Sequence, residues 1–104
     1  MTKLINAINQ KDFSTIEDLV NNGLDLNKPL DNRDLPIWLT SKSLDFEVVK
    51  HLINLGADPE SRINGGQNFY DIVLMSNEVG MSKPSIEAKS FIDRTKNYYK
   101  KKTT

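Results

Sequence analysis

Residues 35–60 read LPIWLTSKSLDFEVVKHLINLGADPE, and residues 2–27, 33 positions earlier, read TKLINAINQKDFSTIEDLVNNGLDLN. Six positions are identical without a gap: Asp12/Asp45, Phe13/Phe46, Leu19/Leu52, Asn21/Asn54, Gly23/Gly56 and Asp25/Asp58. Leu4/Ile37, Ile16/Val49 and Val20/Ile53 match in size and polarity. The agreement falls on apolar and turn positions, where a packed unit constrains its own sequence, so the chain is an internal repeat.

Both units share a grammar. An apolar stretch comes first, Leu4, Ile5, Ala7 and Ile8 or Ile37, Trp38 and Leu39. Pro36 suits the first turn of a helix, where a missing N–H costs nothing. Asp12 or Asp45 then stands where a second helix needs an N-cap. Phe13, Ile16, Leu19 and Val20, like Phe46, Val49, Leu52 and Ile53, recur at the helical period and form one apolar stripe. Gly23 and Gly56 end that helix, at a position calling for left-handed backbone. The spacing therefore predicts a pair of helices and a turn in each unit.

This pattern resembles the ankyrin repeat. The period of 33 agrees, residues 35–40 (LPIWLT) stand where the family opens its first helix, and residues 47–59 (EVVKHLINLGADP) match its second helix and Gly-Ala-Asp ending. A further step of 33 gives a third, weaker unit, with Gly66 at the turn and residues 68–73 (NFYDIV) at the helix opening. Residues 76–83 (SNEVGMSK) exceed the family's short inter-helix turn, and a new helix is expected from Pro84-Ser85 through Ile86, Ala88, Phe91, Ile92 and Thr95. Leu35 replaces a capping threonine, Trp38 replaces a histidine that ties neighbouring units, and Thr40 and Val73 replace alanines. The resemblance implies an all-α helix–turn–helix solenoid of about three repeats with a long C-terminal capping helix. The 104 residues would form a single domain with units at roughly 2–29, 30–62 and 63–100 and a flexible tail at 101–104.

Composition narrows the function. Hydrophobic residues are 38% and charged residues 27% of the chain, within the globular range. There is no cysteine, which excludes a disulfide framework, a thiol nucleophile and a cysteine zinc site. The longest apolar run, Ile72–Met75, cannot span a bilayer, and Met1-Thr2-Lys3-Leu4 opens no signal peptide, so no membrane is expected and the cytoplasm is the expected compartment. Net charge is zero, yet unevenly spread. Residues 83–104 carry seven Lys/Arg and two Asp/Glu, a net of +5, leaving −5 on residues 1–82. That asymmetry bears on partners rather than on fold.

Catalytic and metal chemistry find no purchase. His51, the single histidine, sits inside a helix stripe with no nucleophile and orienting carboxylate in evident register. Asp25-x-Asn27-x-x-x-Asp31 lacks the central glycine and closing glutamate of a calcium loop, and Pro29 occupies a ligand position. Asn64-Gly65-Gly66 has no phosphate-loop continuation and reads as a tight turn. No enzyme, metal or cofactor is expected.

What the resemblance implies is a protein-binding module. Turn tips and exposed first-helix positions would dock a partner: Asp31, Asn32 and Asp34, then Trp38, Lys42, Ser43 and Leu55 in unit two, and Asn64, Gln67, Met75 and Ser76 in unit three. Trp38 has two readings, core packing and interface anchor. The acidic body favours a basic protein, bound as a heterodimer by a chain otherwise monomeric. Compact members of the family include immunity proteins, and inhibition of a toxin or enzyme is the implied role. The alternatives are nucleic-acid binding through Lys96-Asn97-Tyr98-Tyr99-Lys100-Lys101-Lys102, or a structural subunit that self-associates near Ile86, Phe91 and Ile92 or near Leu4 and Ile8.

Overall fold

The computed structural model describes residues 2–31, 33–63, 65–79 and 83–103. The fold is all-α. Helices α1 (Thr2–Asn9) and α2 (Phe13–Asn21) are followed by a 3₁₀ helix (Pro36–Thr40), then α3 (Phe46–Asn54), α4 (Phe69–Ser76) and α5 (Ile86–Thr103). Strands β1 (Glu78–Val79) and β2 (Lys83–Pro84) pair antiparallel in a two-residue ladder between α4 and α5.

Local signals start and stop these helices. The Asp12 carboxylate accepts from the Thr15 N–H, and the Asp45 carboxylate accepts from the N–H groups of Glu47 and Val48. Asn68 and Asp71 form a reciprocal capping box at α4, and the Ser85 hydroxyl accepts from the Ala88 N–H at α5. Gly23 and Gly56 adopt φ of +107° and +110°, so each helix ends in the left-handed turn that only glycine enters without a Cβ penalty. In the turns that follow, Asp25 accepts from Asn27 N–H and Asp58 from Glu60 N–H. The 33-residue period of the sequence is thus a period of hydrogen bonds.

The same register governs burial. Leu4, Ile37 and Tyr70 are equivalent and buried, as are Ala7, Thr40 and Val73, and as are Ile16 and Val49. The first elements of the three units lie in a row, α1 beside the 3₁₀ helix and the 3₁₀ helix beside α4, while α5 packs on both α3 and α4. A regular helix is expected at residues 36–40, but the chain forms the tighter 3₁₀ turn. Pro36 removes a donor, the Leu35 side chain supplies no cap, and Thr40 donates its buried hydroxyl to Ile37 O at 2.8 Å. Helix α5 continues to Thr103, into the stretch expected as a tail.

Specific contacts join the units. Asn27 Nδ2 donates to Gly56 O at 2.9 Å, and its Oδ1 accepts from the Asp58 N–H at 2.8 Å. Lys11 Nζ lies 2.6 Å from Asp45 Oδ2, and His51 stacks on Phe13 with ring centroids 3.8 Å apart. At the other end, Tyr98 meets Phe46 edge-on and donates to Asn54 Oδ1 at 2.6 Å, while the Arg94 guanidinium lies 4.2 Å from the centre of the Phe46 ring.

Candidate functional site

The first turn tip hangs from buried Leu30. The Leu30 N–H donates to Asp34 O and the Arg33 N–H to Leu30 O, both at 2.8 Å, and Arg33 takes φ of 70° to close the loop. Asp31 is exposed on this tip and Asp34 half-buried. Asn32 and Asn64, both expected in the binding set, lie outside the described residues.

The second tip is pinned by a residue that sequence reading passed over. Arg62 Nη1 donates to Gly66 O at 2.7 Å and reaches Asp71 Oδ2 at 3.3 Å, fastening the tip to the first turn of α4. Gln67 leaves this tip and donates from Nε2 to Met75 Sδ. Met75 is 53% exposed, one of two large apolar side chains so placed among the described residues. Ser76 Oγ is 3.4 Å from Ser41 Oγ, and Asn77 Nδ2 donates to Ser41 O at 2.6 Å and Val73 O at 2.8 Å. These bonds bring the end of the 3₁₀ helix, with exposed Lys42 and Ser43 just beyond it, against the end of α4.

Gln67, Met75 and Ser76 therefore form one connected surface leading to Lys42 and Ser43. Leu55 stands apart as the C-cap of α3 and is half-buried. Trp38 is half-buried against the core, and its indole N–H is buried with no hydrogen-bond partner among the described residues. The connected surface offers hydroxyls, an amide and an ammonium around one exposed thioether. Among the described residues no three His, Asp or Glu groups converge to hold a metal ion.

Away from that surface, a concavity lies between the start of α4 and the end of α5, with a volume of about 460 Å³. Its α5 wall is Lys96, Tyr99, Lys100 and Thr103, an i, i+3, i+4, i+7 face. Its α4 side includes Tyr70, 7% exposed, whose hydroxyl is buried with no partner among the described residues. Burial pushes that hydroxyl far above the ordinary phenol range, and the nearby Glu60, Tyr99 and Asp58 push it further. Tyr99 is also raised, first by burial and then by its hydrogen bond to Asp58. The helical spacing of the α5 wall was visible in the sequence, but the partner surface from α4 was not.

An unpaired buried hydroxyl is a cost the fold carries without return. Replacing Tyr70 with Phe keeps the ring and deletes the cost, so urea unfolding of Tyr70→Phe should show a gain of about 1 kcal/mol. A loss instead would mean that the hydroxyl is bonded in solution.

Comparison of the chain with protein-family models, with curated proteins and with solved structures gives no match.

Proposed function

We propose that this chain is a small ankyrin-type protein of the cytoplasm, without catalysis, that docks a protein partner through its turn tips and the surface joining the 3₁₀ helix to α4. Inhibition of a toxin or an enzyme by masking is the role that fits such a module. The observation carrying this reading is the 33-residue recurrence of caps, left-handed glycines and buried positions, together with the row of first elements. Units stacked in a row bury their apolar faces on each other and leave the turn tips for contact. The self-associating alternative is less well supported, because Leu4, Ile8, Phe91 and Ile92 are buried and, of the five residues named for it, Ile86 alone is exposed.

The test is capture from the native host with two baits, the wild-type chain and a double variant, Asp31→Arg with Met75→Arg. Both positions are exposed, so the fold tolerates the change. A stoichiometric protein held by the wild type and weakened at least about tenfold by the variant is expected, since an interface centre is intolerant of a new buried charge. Equal capture by both baits, or recovery of nucleic acid alone, would overturn the reading.

A further inference from the structure

We propose that the pocket between α4 and α5 binds a carboxylate carried on a planar, partly apolar body. Lys96 and Lys100 sit one helical turn apart on its wall, and neither makes an ion pair among the described residues. Like charges at this spacing repel, and an anion placed between them relieves that repulsion while accepting two charge-assisted hydrogen bonds. The floor is aromatic. Tyr70 presents a ring face that already attracts a cation, with Lys96 Nζ 5.1 Å from its centre, and Tyr99 stands beside it on the wall. The Tyr70 hydroxyl is buried beneath this floor, so the ring and not the hydroxyl faces the ligand. Two carboxylates stand at the pocket, Glu60 on its wall and Asp58 held by its hydrogen bond to Tyr99. Glu60 is exposed and without an ion pair among the described residues, and it repels a second negative charge on the ligand. A singly charged carboxylate is therefore preferred to a phosphate, and the tyrosine faces favour a flat body behind it. The carboxylate has two possible sources, a free aromatic acid or the C-terminus of another chain. None of these residues belongs to the docking surface described above, so this site stands or falls separately.

The test is a titration of the full chain followed by amide and tyrosine-ring NMR signals. The probes are benzoate, acetate, inorganic phosphate, the dipeptide Gly-Phe and its C-terminal amide. Benzoate should shift the Tyr70, Tyr99, Lys96 and Lys100 signals saturably, with a Kd of about 1 mM, as befits so small a ligand. Acetate and phosphate should bind more weakly. Lys96→Gln with Lys100→Gln, both exposed, should weaken benzoate roughly tenfold with the remaining spectrum unchanged. Tyr70→Phe, which keeps the ring, should leave benzoate binding within about twofold, and Glu60→Gln should narrow the preference over phosphate. Gly-Phe binding tighter than benzoate, with the amide silent, identifies a chain terminus as the source; the reverse order identifies a free acid. No saturable shift with benzoate or Gly-Phe, binding untouched by the lysine substitutions, or phosphate binding tightest would each overturn the proposal.

Discussion

Phe69→Ala should cost about 4 kcal/mol, the largest loss expected from any single truncation in this chain. Phe69 is the largest of the fully buried side chains and has no exposed surface. It follows the Asn68 cap directly, so its place is set by the start of α4, and it meets Phe91 of α5 edge-on at 6.0 Å. It thereby fastens the last helix to the row of first elements. Truncation removes the ring's transfer free energy and leaves a cavity that α4 and α5 cannot both close. A domain of this size has about 5–15 kcal/mol in total, so much of the reserve goes. The melting temperature should fall by roughly 15–30 °C. Phe69→Leu, which keeps most of the volume, should cost about 1–2 kcal/mol. Met75→Ala, at a half-exposed position, should stay within about 0.5 kcal/mol. Urea unfolding of the three variants checks the order, and a Phe69→Ala loss no larger than that of Met75→Ala would contradict the described core.

Asp45→Ala should cost about 2 kcal/mol and flatten the acid side of the stability profile. The Asp45 carboxylate caps α3 through the N–H groups of Glu47 and Val48 and holds the Lys11 ammonium at 2.6 Å. The lysine contact, aided by the cap, keeps the Asp45 carboxyl below its ordinary range. A carboxylate depressed in the folded state stabilises fully above the unfolded value, about 3.9, and the contribution is lost as pH falls through the lower folded value. Lys11 is raised by the same bond, so its share holds below the ordinary lysine range and is lost as pH rises through the raised value. The pair therefore contributes across the whole neutral range. Asp12, held down by its bonds to Thr15, adds to the loss on the acid side. Unfolding free energies of wild type and Asp45→Ala should differ about equally at pH 5 and 7 and less at pH 3. A difference independent of pH would contradict the depressed Asp45 carboxyl.

Much of this was legible in the residues. The recurrences at Asp12/Asp45 and Gly23/Gly56 forecast paired caps and left-handed turns; both aspartates accept from the N–H three residues on, and both glycines take positive φ. The stripe Phe46, Val49, Leu52 and Ile53 forecast the core face of α3, of which Val49, Leu52 and Ile53 are buried. The long last helix begins where Pro84-Ser85 placed it. The surface proposed for docking was legible only in part. Gln67, Met75 and Ser76 come together, but Leu55 closes a helix elsewhere, and Arg62, which fixes the second tip, carried no repeat signature.

Caps, glycine stops and an amphipathic stripe act over one or two helical turns, so neighbouring residues suffice to specify them and the sequence alone carried them. The tertiary structure decided the rest. Residues 36–40 wind as a 3₁₀ turn between α1, α3 and α4 rather than as a regular helix. Lys11 and Leu44, equivalent in the two units yet unlike in type, are both forced to positive φ, 56° and 53°, to aim the following helix. Unit one is tied to unit two by Asn27 and by His51 stacked on Phe13. The pocket of Tyr70, Lys96 and Lys100 exists because α5 lies across α4. Most of these depend on which surfaces of separate elements meet, and burial on one face constrains such meetings without naming the partner.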